Sequence, residues 1–310
     1  MQTTIEVEPR APFDFELSLR FLIGFPATKN EQVITQNRLI KGLRVSGAMA
    51  VADLVSTGTT DQPCLSLTIY SDTLLTTRQI QDIESRLRFM LSIDEDIAAF
   101  HLLAAQDAPF QETVIPALYG YRQVKFPSPF ENAVWAILAQ RRPIVKSRQM
   151  KQALMDKYSQ RIKYEEWLFE GFPQPEDFFP LDRRKLADCI GNELKASYLI
   201  EVIEAFSTIE NEFLPHAPYD EVKRWLMDIK GIGEWSALFV LARGLGRMQQ
   251  ALLADPSSTF NKRLLSAAVP IYGNISFGEL REIAEQYGAW QGYWAHFLKA
   301  YTEVMGGGST

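Results

Sequence analysis

Apolar and polar residues alternate most strictly near the start of the chain. In FDFELSLRF (13–21), Phe13, Phe15, Leu17, Leu19 and Phe21 fall on one side of an extended segment, which predicts a half-buried strand. LRVSGAMAVADLV (43–55) and CLSLTIYS (64–71) carry the same strand-like composition more loosely. The period then changes. In TRQIQDIESRLRFML (77–91), Ile80, Ile83, Leu87 and Leu91 recur at helical spacing. Residues 1–118 are therefore expected to form a small α+β domain, sheet plus helix.

From PSPFENAVWAILAQ (127–140) onward the helical period dominates. Phe130, Val134, Ile137 and Leu138 make one apolar face, and Pro127 and Pro129 punctuate its start. The proline-rich GFPQPEDFFPLD (171–182) interrupts the pattern. LDRRKLADCI and LKASYLIEVIEAF then read as two helices joined at Gly191-Asn192. A second interruption, LPHAPYD (214–220), precedes MDIKGIGEWSALFVLARGLG (227–246) and a long helical tail that ends in GGGST. Residues 119–310 are expected to be all-α, without an internal repeat or heptad array.

Just before the glycines of this stretch, Val222, Leu226 and Ile229 line one side of a helix. After them, Trp235, Leu238, Phe239 and Ala242 follow at i, i+3, i+4 and i+7. Helix, glycine turn, helix is a helix–hairpin–helix pattern, and two roles are open to it. It is a plain corner between helices, or it grips a phosphate. Glycine lets a foreign backbone come close, and the second helix opens with unpaired N–H groups at the positive end of its dipole.

A chain of 310 residues has room for two or three domains, and its 46% hydrophobic content supplies a sizeable core. No apolar run approaches the ~20 residues of a membrane span. MQTTIEVEPR lacks the layout of a secretory signal. Cys64 and Cys189 are the only cysteines, which argues against a cysteine-rich metal site and suits a reduced cytoplasm. His101, His216 and His296 are scattered without metal-ligand spacing, and there is no phosphate-loop motif. The net charge of −6 leans away from nucleic acid. One local strip opposes it: QRRPIVKSRQMK (140–151) gathers Arg141, Arg142, Lys146, Arg148 and Lys151. Such a strip suits phosphates and, equally, a solvated helix face.

Several ordered motifs carry a resemblance. They are Phe130-Glu131-Asn132-Ala133-Val134-Trp135-Ala136-Ile137-Leu138-Ala139-Gln140, Lys195-Ala196-Ser197-Tyr198-Leu199, and Gly231-Ile232-Gly233-Glu234-Trp235-Ser236-Ala237. Asp255 follows, 22 residues after Gly233, and then Ala289-Trp290 with Tyr293. With these, residues 120–305 resemble the helix–hairpin–helix superfamily of DNA glycosylases in base-excision repair, and within it the 3-methyladenine DNA glycosylase II branch. The resemblance implies an α+β domain followed by a mainly α-helical, two-lobed domain that contains the hairpin, with the active-site cleft between its lobes. The implied activity is hydrolysis of the N-glycosidic bond of alkylated purines, of the 3-methyladenine and 7-methylguanine class, after base flipping. Double-stranded DNA is the implied partner of an expected monomer in a bacterial cytoplasm, associated with the nucleoid. No cofactor is implied, apart from the monovalent cation that hairpin backbones of this superfamily often hold. Two other functions stay open: a non-catalytic binder of damaged or distorted DNA, and a glycosylase for deaminated or oxidised bases.

The resemblance also assigns roles. Asp255 takes the catalytic place, where a carboxylate stabilises oxocarbenium-like charge or orients water; by local sequence alone it is a turn or helix-cap residue. Trp235, Phe239, Trp290 and Tyr293 match or neighbour the base-pocket positions. Electron-rich rings there suit a cationic alkylated purine, although each is also an ordinary core residue type. Gln140, Arg141, Arg142, Lys146 and Arg148, with Gly231, Ile232 and Gly233, are the implied DNA contacts. Arg141 stands where an apolar wedge is more usual. Trp235 occupies the place of the nucleophilic lysine of lyase-competent relatives, which implies a monofunctional enzyme that uses water. Pro256 after Asp255, and Lys262-Arg263 about two residues late against the family's basic pair, mark an insertion placed to re-aim the next helix and alter activity.

Overall fold

The computed structural model describes residues 1–29, 31–210, 212–250 and 259–305. Strands β1 (Gln2–Val7), β2 (Gln32–Ile34), β3 (Arg38–Val45), β4 (Ala48–Ser56) and β5 (Leu65–Tyr70) form an antiparallel sheet in the order β1-β5-β4-β3-β2. Helix α1 (Phe15–Gly24) lies between β1 and β2, and α2 (Thr77–Met90), α3 (Ala98–Ala104) and α4 (Ala108–Ala117) follow the sheet. Thr76 and Gln79 close a reciprocal capping box at the start of α2, satisfying two otherwise free backbone donors.

The strand expected over 13–21 is helical instead. Asp14 caps α1 by accepting the Leu17 N–H at 2.9 Å, and Phe15, Ser18, Leu19, Phe21 and Leu22 are the buried face. That set follows the 3.6-residue period, which the alternation of Phe15, Leu19 and Phe21 had imitated over a short window.

The helical region comprises α5 (Pro129–Ala139), α6 (Ile144–Tyr158), α7 (Arg183–Ile190), α8 (Glu193–Thr208), α9 (Phe213–His216), α10 (Tyr219–Asp228), α11 (Glu234–Gly244), α12 (Thr259–Tyr272), α13 (Phe277–Gln286) and α14 (Gln291–Met305). Gly191, at φ +64°, ends α7, and Asn192 starts α8 by accepting the Lys195 N–H. The region is not purely helical, however. A hairpin, β6 (Arg161–Tyr164) and β7 (Trp167–Glu170), covers the outer face of the N-terminal sheet. Ile162 and Phe169 pack there on Ile40, Met49 and Val51, and Arg38 bridges Asp53 and Glu165. Covered on both sides, β3 and β4 are buried along almost their whole length.

The apolar packing divides the chain differently from the boundary at 118/119. One core unites the sheet and α1–α4 with α12–α14, while a second is built from α5, α7, α8, α10 and α11. Lys151 joins the two parts. Its ammonium is buried against Glu131 (2.7 Å), Glu31 (2.6 Å) and the Ala27 carbonyl (2.9 Å). Among the described residues no helix is long and apolar enough to cross a membrane.

Candidate active site

The glycine turn between α10 and α11 is shaped by two different needs. Gly231 sits at φ +98°, and a Cβ built there would lie 2.4 Å from Tyr198 Cγ. Only glycine fits both the left-handed backbone and the close ring. Ile232 is buried in the second core, anchoring the turn. Gly233 is the N-cap residue of α11, is exposed, and faces open space. The first N–H groups of α11 thus stand at an uncrowded surface, where an anion can accept them.

Gln140 braces this turn. Its Nε2 donates to the Gly231 carbonyl (2.8 Å) and to Ser236 Oγ (3.2 Å), so its amide nitrogen is engaged inside the protein. Beside it, Lys195 donates to the carbonyls of Ile137 and Gln140 at the end of α5. Burial, and then the Arg142 charge, pull its pKa down to about 8. Arg141, at φ +50°, and Arg142 join Lys195, Tyr198, Lys230 and the turn in lining one open groove of about 1070 Å³. Lys146 is exposed and Arg148 half-buried further along α6, whereas Lys151 leaves the expected basic strip for the buried ion cluster.

Trp235 projects from the first turn of α11 into this groove, 41% exposed, and stacks on Phe239 at 5.2 Å with 10° between the rings. Phe239 in turn lines a more enclosed cavity of about 200 Å³. Arg243, one helical turn further, enters the same cavity with Phe21, Phe25, Gln123, His296, Lys299 and Arg263. The guanidinium lies 4.9 Å from the Phe21 ring centroid and 4.7 Å from that of Phe25. Burial lowers its pKa to about 10, so it stays charged at neutral pH.

Arg243 Nη1 is 3.2 Å from His296 Nδ1, and Tyr121 Oη is 2.8 Å from His296 Nε2. Because a guanidinium only donates, Nδ1 must accept and Nε2–H donates to the tyrosine. Burial, then the Arg243 charge, holds the imidazole pKa well below its usual range, which keeps this tautomer neutral.

Of the four expected pocket aromatics, the structure brings together Trp235 and Phe239. It does not bring Trp290 and Tyr293 to them. Those two pack on Phe100 of α3 (6.2 and 5.6 Å between ring centroids) and line neither the groove nor the cavity. They belong to the core that ties α14 to the N-terminal part. Asp255 and Pro256 lie outside the described residues. Gln250 and Arg263, on either side of Asp255 in the sequence, both line the cavity. Among the described residues no cluster of histidine, cysteine and carboxylate side chains could hold a metal ion. Sequence reasoning missed Arg243, Gln123 and His296. A signal for Arg243 existed: it follows Trp235 and Phe239 at i+8 and i+4 on one face of an otherwise apolar helix.

No family model matches the sequence. Over 224 residues, 70% of this chain and 71% of the relative, it is 24% identical to a DNA-3-methyladenine glycosylase of Bacillus subtilis. Its fold is shared with a 3-methyladenine DNA glycosylase from Archaeoglobus fulgidus, at a TM-score of 0.72 and 19% identity over 96% of this chain and 98% of that one. It is also shared with an 8-oxoguanine glycosylase/lyase from Clostridium acetobutylicum solved with double-stranded DNA, at a TM-score of 0.65 and 14% identity over 97% of each chain. The N-terminal sheet is therefore part of the common architecture.

Proposed function

We propose that this chain, which belongs to the helix–hairpin–helix superfamily of DNA glycosylases, is a monofunctional enzyme that removes damaged purines from double-stranded DNA. The observation that carries the reading is the continuous path along α11. The turn offers its N–H groups to a phosphate, and the Trp235–Phe239 stack leads from the open groove into an enclosed cavity.

The sequence of events follows from those parts. Phosphates flanking the lesion settle on the turn and on Arg141, Arg142 and Lys146, while the damaged nucleotide rotates out of the stack at a cost of a few kcal/mol. The base slides past Trp235 and is held against Phe239. As the N-glycosidic bond breaks, its electron pair leaves with the base and positive charge builds on the deoxyribose. Asp255 is the carboxylate assigned to stabilise that charge and to orient the water that adds to C1′, giving up a proton. An abasic site in an intact strand remains. Trp235 has no amine, so no Schiff base forms at this place in the hairpin. Two lysines flank the turn: Lys195 is committed to the end of α5, and Lys230 precedes the glycines and so does not match the lyase position. A monovalent cation at the hairpin would be held by carbonyls; those of Ile229 and Gly231 each accept one hydrogen bond and keep a second lone pair.

Alkylated purines are the class supported by the name of the Bacillus subtilis relative. A second class, deaminated or oxidised purines, is favoured by the Arg243 charge in the cavity. The test is release of free base from lesion-bearing duplexes without strand scission, and its loss in Asp255→Asn.

A further inference from the structure

We propose that Lys195 is a positioning residue for DNA binding: from α8 it holds the peptide unit that leads into Arg141, and so keeps this arginine presented to the duplex in register with the hairpin turn. The inference goes beyond the glycosylase reading above and rests on it only for DNA as the ligand.

Arg141 is exposed at φ +50°, a left-handed backbone that a residue other than glycine adopts at a cost. Such a conformation persists where its surroundings over-determine it. Gln140 ends α5, and Lys195 Nζ donates to its carbonyl at 3.0 Å, which fixes the peptide plane on the N-terminal side of Arg141. The same ammonium donates to the Ile137 carbonyl, three residues earlier on α5. The Gln140 side chain ties this residue to the hairpin through the Gly231 carbonyl and Ser236. Two residues beyond Arg141, Pro143 stands at the N-cap of α6.

One face of α8 registers both turns. Lys195 reaches the turn between α5 and α6, and Tyr198, three residues on, sets its ring against Gly231. Lys195 is 7% exposed, and its polar partners among the described residues are the two carbonyls, with no carboxylate to offset its charge. The carbonyl end of the α5 dipole favours a cation there. Burying an unpaired ammonium is nevertheless costly for a plain helix end, whose carbonyls water satisfies as well. The cost falls where two DNA-facing turns meet, and it fixes the backbone beside an exposed arginine.

The experiment titrates the full chain, over a series of salt concentrations, into a duplex with one tetrahydrofuran abasic analogue, a probe without a base to release. Arg141→Ala should lower the slope of log affinity against log salt by about one, the loss of one phosphate contact. Lys195→Met should lower it by about the same amount, and the double variant by no more than Arg141→Ala alone. A second arm leaves Lys195 in place, so that it holds even if Lys195→Met does not fold. Burial, then the Arg142 charge, pulls the Lys195 pKa to about 8, so its charged grip is present at pH 7 and lost as the pH rises past 8. Arg141, Arg142, Lys230 and Glu234 are the other charged groups that line the groove. The unaltered protein should bind the probe more weakly at pH 9 than at pH 7, and Arg141→Ala should lack that decline. Slope losses that add to about two in the double variant would make Lys195 a phosphate contact in its own right. An unchanged slope in folded Lys195→Met or in Arg141→Ala, or the same pH decline in both proteins, would make it a helix cap. Each of these results overturns the inference and leaves the glycosylase reading intact. Binding of the unaltered protein without salt dependence overturns the DNA reading and the inference with it.

Discussion

His296 is the residue on which the cavity's charged wall depends. It is neutral, accepts from Arg243 and donates to Tyr121, while Lys299 and Lys125 add to the positive surroundings that resist its protonation. In the unfolded chain this imidazole takes a proton below about pH 6.5; in the folded chain it does so only at much lower pH. The unfolded state thus binds more protons, and His296 removes stability as the pH falls below 6.5, by up to about 1.4 kcal/mol per pH unit. His296→Gln should be less stable than the unaltered protein at pH 7 yet lose less on acidification. Urea unfolding at pH 7, 6 and 5 checks this, and parallel pH profiles for the two proteins would refute it. His296 carries no local signal in the sequence, and Arg243 carries only its helical spacing from Trp235 and Phe239. The partners that define the two side chains, Tyr121 for His296 and Phe21 and Phe25 for Arg243, lie more than a hundred positions away in the sequence.

At the level of elements, the hairpin was legible because every signal it uses is local. An apolar face on each side, two glycines and the first helical turn all fall within adjacent residues. The α7–α8 joint at Gly191-Asn192 was legible for the same reason. β6 and β7 were not, since each has four residues and finds its apolar partners more than a hundred positions away, in β3 and β4. The two hairpin glycines should respond differently to alanine. At Gly231, the positive φ and the 2.4 Å approach to Tyr198 should cost about 1–3 kcal/mol of stability and weaken DNA binding with it. At Gly233, with φ −84° and open space, stability should change by no more than about 0.5 kcal/mol while DNA affinity still falls. Denaturant unfolding and DNA titration on both variants separate the two effects. Unchanged DNA affinity in Gly233→Ala would make the turn a plain corner.

The whole molecule is tied together by its first core. Phe100 and Phe110 of the N-terminal part pack with Tyr287, Tyr293 and Phe297, so the last three helices complete a core begun by residues before 118. Trp290 and Tyr293, expected from the sequence as pocket residues, pack into this shared core. A fragment of residues 119–310 should therefore lack a cooperative unfolding transition, having lost one side of that core. A sharp transition matching the full chain's would contradict the shared packing. The same joining builds the cavity wall, with Phe21 and Phe25 facing α11 and α14. The central claim is that this combined body excises a base with water and leaves the strand whole. The most direct test follows free base and strand integrity together, on duplexes carrying hypoxanthine or methylated purines, with the unaltered protein and Asp255→Asn. The expected result is released base, strands that break only after alkali, and Asp255→Asn that binds as well but releases base about 10²–10³-fold more slowly. Base release untouched by Asp255→Asn, or strand breakage without alkali accompanied by a borohydride-trapped protein–DNA adduct, would contradict it.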